Sequence, residues 1–440
     1  MRASEQNRKL VLIELNEVNF DVAKAYVDSL GLRNFRALLE GPRVRTSSEA
    51  AYEQLEPWIQ WVSAHSGQTA AEHGVFRLGD IVGSRVPQMF EQLESQGVSV
   101  GCVSAMNAEN RLKHPAYFVP DPWTATPTDG SFWSEALGAA ISQAVNDNAQ
   151  GRISGRSAAA LGLGLLRFAR PKHYGLYARL AARSRGAPWR KALFLDLFLH
   201  DFHWSLRQRH RPGFSTLFLN AGAHIQHHYF FNSKGVQGAA QRNPTWYAPA
   251  DADPFAEMLT VYDSILGDYL SLDGESDVLV ATGLTQQPYD KLKYYYRLTE
   301  HAAFLEKVGI RFKNVLPRMT RDFLVEFDSA ADAAVAERQL RAFRVAKDGA
   351  PLFGDIENRG DSIFLSLVYP NEIGPDLVVS HENGELPLAP WVAFVAIKNG
   401  MHDPRGYAFF RGQVSRHAPA DGAHVRELYG TVMNYFATAR

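Results

Sequence analysis

Leu10-Val11-Leu12-Ile13-Glu14-Leu15-Asn16-Glu17 decides the fold. Its first four residues form a continuous apolar run, the pattern of a strand buried on both faces of a parallel sheet. Polar residues follow at once, with Glu14, Asn16, Glu17 and Asn19. From Asp21 to Leu39 the residues Val22, Ala25, Tyr26, Val27 and Leu30 keep helical spacing, broken at Gly31. The alternation recurs further along. Val98–Val103 reads as a second strand after a helix from Val86 to Gln96, and Thr216–Leu219 and Asp277–Thr282 as two more buried strands. Strands alternating with helices predict a doubly wound, mostly parallel α/β sheet that binds ligands at the carboxyl ends of its strands.

Two stretches depart from that rhythm and divide the core into 1–150, 214–310 and 386–440. The first, 151–213, is helical and basic, carrying Arg152, Arg156, Arg167, Arg170, Lys172, Arg179, Arg183, Arg185, Arg190 and Lys191 against only Asp196 and Asp201. It reads as a helical cap with solvated or remotely paired cations, as a funnel for an anionic substrate, or as a peripheral membrane contact. The second, 311–385, reads as a small α/β insertion: strand Asp322–Phe327, helix Ala330–Phe343 and strand Ser362–Leu367. No internal repeat or low-complexity tract is present.

Composition narrows the class. The 440 residues are 46% hydrophobic and 21% charged, as in ordinary globular proteins, with a net charge of −1. That charge argues against nucleic acid as a partner. The single cysteine, Cys102, excludes an intramolecular disulfide framework and a thiolate metal cluster. Neither a signal-peptide core nor a spanning run is found, so a cytoplasmic location is expected. The sequence sets no oligomeric state.

Two distant segments look like parts of one site: Glu56-Pro57-Trp58-Ile59-Gln60-Trp61, in a run ending at His73-Gly74, and Gly400-Met401-His402-Asp403-Pro404-Arg405-Gly406. Together with Val11–Glu17 and Ile225-Gln226-His227-His228-Tyr229-Phe230, they resemble the alkaline phosphatase superfamily, in particular its type I phosphodiesterase and nucleotide pyrophosphatase-like branch. The resemblance implies that fold and a pair of divalent cations, normally zinc, which polarise a phosphoryl group and activate a Thr or Ser nucleophile. Laid onto this chain, the family's ligand set collapses. The first-strand Asp falls on Asn16, the nucleophile on Pro57, the Asp four residues before His227 on Ala223, and the later Asp-His pair on Gly283 and Leu284. His227 and His402 remain. In a shifted register Asn220 and His224 share the family's Asp-x-x-x-His spacing, and Glu14 or Glu17 stands in for the first Asp.

The residues expected to converge on one cleft are Glu14, Asn16, Glu17, Glu56, Gln60, His65, His227, His402, Asp403 and Arg405. Glu56, Glu17, His227 and His402 are the catalytic candidates, as acid/base groups or, for Glu56, a nucleophile. Asn16, Gln60, Lys293, Arg297 and Arg405 are the substrate-binding candidates, with Lys291 beside them. Several residues in these segments have a plainer reading. Glu56 suits a helix start before Pro57, Asp403 and Arg405 a turn salt bridge, and Trp58 and Trp61 core packing. His73 reads as a structural loop histidine, while His224 and His228 fit either role.

Three functions follow. The favoured one is a hydrolase or group transferase for a small anionic substrate, a phosphate or sulfate ester or a glycan. It would work without the two-metal site, using no cofactor or one divalent ion, zinc or manganese, on His227 and His402. The others are a catalytically silent binder of an anionic ligand or partner, and an ordinary metal-dependent phosphodiesterase.

Overall fold

The computed structural model describes residues 8–146, 153–236, 241–272, 274–317 and 321–437. Arg152 lies outside them. The chain forms two compact units.

The first unit is built on a seven-stranded sheet. Its strands are β1 (Leu10–Leu15), β2 (Arg43–Ser47), β3 (Val100–Val103), β4 (Tyr117–Val119), β5 (Phe214–Leu219), β6 (Asp277–Ala281) and β7 (Arg405–Arg411), in the order β2-β7-β6-β1-β5-β3-β4. β1 pairs in parallel with β5 and β6, and β3 with β4 and β5, while β7 runs antiparallel to both neighbours. The expected mostly parallel doubly wound sheet is therefore present.

β1 is buried along its whole length, and its residues divide between two cores by parity. Val11, Ile13 and Leu15 join one cluster with Leu193, Leu197, Tyr262 and Ile265. Leu10 and Leu12 join the other with Trp61, Met89, Leu93 and Val432. Two-sided burial is what the unbroken apolar run encodes. Glu14 shares the face of Leu10 and Leu12, which overturns its expected place in the cleft. It is fully buried, its Oε1 accepts from Thr216 Oγ1 at 2.7 Å, and it faces His65 Nε2 at 3.1 Å. His65 lies on helix α1 (Pro57–Ser66) and is equally buried, so this pair ties α1 to β1 inside the core.

The basic insertion belongs to the first unit and forms helices α2 (Gly155–Phe168), α3 (Tyr174–Ala182) and α4 (Trp189–His210). Its two acids point inward. Asp201 accepts from Arg170 N–H and Tyr177 OH, both at 2.9 Å. Asp196 accepts from Tyr262 OH at 2.6 Å and from the backbone N–H of Ala221 at 2.8 Å, at the start of helix α5 (Ala221–Tyr229). Burial pushes Asp196 up to about 6 against those hydrogen bonds.

The second unit comprises 241–243 and Tyr289–Asn399, wider than the expected 311–385. It holds a four-stranded antiparallel sheet, Phe353–Asn358, Ser362–Leu367, Asp322–Glu326 and Asn314–Pro317 in spatial order. Helix Ala330–Ala342 packs on the first two of these strands, and a three-stranded sheet (Arg344–Val345, Val378–His381, Gly384–Pro387) completes the unit.

Candidate active site

All the elements that carry the site end at one edge of the first sheet. Glu17 lies two residues past β1, α5 follows β5, Gln286 lies just past β6, and His402 precedes the reversed β7. β1 is central, with parallel partners on both sides, and open α/β sheets bind ligands outside the carboxyl ends of their strands.

Glu17 is the centre of the cluster. Its backbone sits at φ 60°, a left-handed conformation that non-glycine residues rarely adopt. Two contacts hold it there: Glu17 N–H donates to Thr282 O at 3.1 Å, and Gln226 Nε2 donates to Glu17 O at 2.8 Å. The turned backbone aims the buried carboxylate at two imidazoles. Oε2 lies 3.2 Å from His227 Nε2 and 3.3 Å from His402 Nε2, and the two rings stand 5.1 Å apart. Burial opposes ionisation of Glu17, yet the charges and hydrogen bonds of His227 and His402 hold its carboxyl well below the usual carboxylate range.

Neutral amides support the carboxylate. Gln286 Nε2 donates to Oε2 at 2.5 Å and Asn16 Nδ2 to Oε1 at 3.2 Å. Asn16 also donates to Asn220 Oδ1 and accepts from Trp61 Nε1, both at 2.8 Å. With both ends of its amide engaged inside the protein, Asn16 positions Glu17. Gly400 is fitted against the same group, because a Cβ there would fall 1.9 Å from Gln286 Oε1 and 2.7 Å from Gln226 O.

Glu56 is the N-cap residue of α1, but its side chain makes no capping hydrogen bond. Its Oε2 lies instead 3.8 Å from His402 Nδ1, and the side chain is one-third exposed. Glu17, Glu56, His227 and His402, the four catalytic candidates, are thus brought together.

The other candidates have contacts of their own. Gln60 is fully buried and donates to Gln54 O at 2.8 Å. Arg405 forms a two-point ion pair with Asp403, Nε–Oδ1 at 2.8 Å and Nη2–Oδ2 at 2.9 Å, the turn salt bridge of the plainer reading. Lys293 and Arg297 belong to the second unit, where the Lys293 ammonium lies over the Tyr295 ring. His73 accepts from Val75 N–H on Nδ1 and faces Ser63 Oγ with Nε2. His224 stacks edge-on to His228, and burial pushes it down to about 4.

At the positions where the resemblance expects the nucleophile and further ligands, Pro57 occupies the first helical position of α1, Ala223 is buried in α5, and Gly283 and Leu284 follow β6. None of these offers a side-chain ligand. Glu17, His227 and His402 fit one metal ion. One oxygen of Glu17 and one nitrogen from each of His227 and His402 lie within 4.8 Å of one another. The 3.2 and 3.3 Å separations match a tetrahedron whose metal–ligand bonds of about 2.0–2.1 Å put neighbouring ligand atoms about 3.3 Å apart. His173, His200 and Asp268 gather as closely. There, however, Asp268 is already neutralised by Arg170 and Lys172.

Gln226 and Gln286 are the functional residues that sequence reasoning passed over. Gln226 lay inside a quoted motif, next to His227. Gln286 lay just past the dismantled Asp-His position and carried no titratable signal.

No protein-family model matches the chain, and no curated protein does. Solved structures do overlap it along nearly its whole length. Phosphonoacetate hydrolase from Sinorhizobium meliloti 1021 is 13% identical, with a TM-score of 0.43 over 99% of this chain and 96% of its own. Human ectonucleotide pyrophosphatase/phosphodiesterase 5 is 8% identical, with a TM-score of 0.43 over 98% and 95%. The alkaline phosphatase of Thermus thermophilus is 12% identical, with a TM-score of 0.44 over 100% and 94%. With every TM-score below 0.5, the chemistry has to be read from the site's own residues.

Proposed function

We propose that the protein is a hydrolase of phosphate-type esters that works with one divalent metal ion, zinc or manganese, in place of the usual two. The observation that carries this reading is the Glu17–His227–His402 cluster: two imidazole nitrogens around one buried carboxylate oxygen at ligand-edge spacing. Two histidines and a glutamate form a ligand set that leaves an open position in catalytic zinc sites. A bound divalent cation would supply Lewis-acid polarisation of a phosphoryl oxygen.

The chain's own residues do the rest. Glu17 brings a carboxylate, and Gln286 and Asn16 fix its orientation. Glu56, partly exposed beside His402, holds or releases a proton at its Oε atoms as general acid or base. Pro57 in the nucleophile's expected place argues for direct attack by water, activated by Glu56, rather than a covalent enzyme intermediate.

The test is metal content after loading with zinc or manganese and dialysis, alongside turnover of bis(p-nitrophenyl) phosphate and p-nitrophenyl phosphate. One retained equivalent, lost in E17Q and H402A together with chelator-sensitive turnover, is the expected result. Two equivalents would return the protein to ordinary two-metal chemistry. Turnover that survives complete metal removal would leave the acid/base groups acting alone. One bound ion with no turnover of any ester would make the site a binding module.

A further inference from the structure

We propose that the outer face of α2 and the adjoining part of α3 form a docking surface for a bilayer with anionic headgroups. α2 is two-faced. Gly164 and Phe168 are buried, and a Cβ on Gly164 would lie 2.7 Å from Leu137 Cδ2 and 3.0 Å from the Phe198 ring, so the helix backbone sits directly on the core. Leu161 and Leu165 pack inward beside them. The outward leucines are therefore not core side chains lacking a place. Leu166 is 82% exposed and Leu163 57%, and Tyr174 at the start of α3 is 55% exposed.

The chain segment that carries these apolar residues is basic. No Asp or Glu occurs from Asn148 to Leu195, and Asp196 and Asp201 beyond them are buried. Arg170 and Lys172 pair with Asp268, and Arg190 with Glu257. Arg156, Arg179, Arg183 and Arg185 are exposed and carry no ion pair among the described residues. On the helical wheel Arg156, Ala159, Leu163, Leu166 and Arg167 share one side of α2. Leucines flanked on α2 by the cationic stems of Arg156 and Arg167, with no acid on that helix, complement a surface that is apolar inside and negative at its rim.

Nothing in this arrangement crosses a bilayer, since no described helix is long and apolar enough to do so. The contact would lie in the plane of the interface.

The test is flotation with vesicles of phosphatidylcholine alone and of phosphatidylcholine mixed with phosphatidylglycerol. The full-length protein should float with the anionic vesicles only, and less as salt rises. The double variant L163S/L166S should weaken that binding at least about tenfold, and R156Q/R167Q should weaken it similarly, with turnover of a soluble ester and the melting temperature unchanged. No flotation at low salt would overturn the proposal, as would anionic binding that L163S/L166S retains in full. Binding of polyglutamate in place of the vesicles would overturn it in favour of an acidic protein.

Discussion

Gln286 donates its side-chain hydrogen bond to Glu17 Oε2, the same oxygen that faces His227 and His402. The amide thus does for the carboxylate what outer groups do for metal ligands: it fixes orientation without adding charge. Gln286→Ala should lower metal affinity by about 10- to 100-fold, measured by competition with a calibrated chelator. Unchanged affinity would mean that Asn16 and the strained backbone hold the Glu17 carboxylate without Gln286.

Gly400 extends the same support. Its missing side chain leaves room for Gln286 Oε1 and Gln226 O, both of which a Cβ would strike. Gly400→Ala should therefore cost roughly 1–3 kcal/mol in unfolding experiments, the range for overpacking a filled interior. It should also reproduce the metal-affinity loss of Gln286→Ala. A variant with wild-type stability and metal affinity would show that the amide moves aside freely.

How far the sequence carried these conclusions depends on the kind of residue. β1 was legible because two-sided burial demands an unbroken apolar run, and β5 and β6 for the same reason. The strand Thr285–Leu298 was not, because its burial changes along its length and it contains Pro288. Glu14 and Glu17 looked alike as polar residues ending a strand. Pleat parity sends Glu14 into the core with His65, while a left-handed backbone turns Glu17 into the site, and no residue type announces that turn. His227 and His402 were found because imidazoles suggest chemistry; Gln286 was missed because a neutral amide does not.

Acid stability should be set in part by His73. Burial pushes its pKa down from the ordinary 6.5 to about 4, and its Nδ1 accepts from Val75 N–H, so the folded protein holds it neutral. Between those values the unfolded chain binds a proton that the folded chain does not, so stability falls as pH drops from 6.5 towards 4. The contribution is about 3 kcal/mol. Denaturant melts of His73→Gln should start below the wild type at neutral pH, and the gap should close as pH falls. A constant gap would contradict the assignment.

Glu56 offers the sharpest separation of chemistry from stability. An N-cap carboxylate that capped α1 would contribute about 1 kcal/mol to the helix, but this one makes no capping hydrogen bond and lies 3.8 Å from His402 Nδ1. Glu56→Gln keeps the shape and removes the proton-accepting charge. Turnover of bis(p-nitrophenyl) phosphate should fall by about 10²- to 10⁴-fold, the usual contribution of general acid–base catalysis, with the melting temperature and bound metal unchanged. If stability falls while turnover holds, Glu56 is only the start of a helix, and the proton must be moved by one of the histidines.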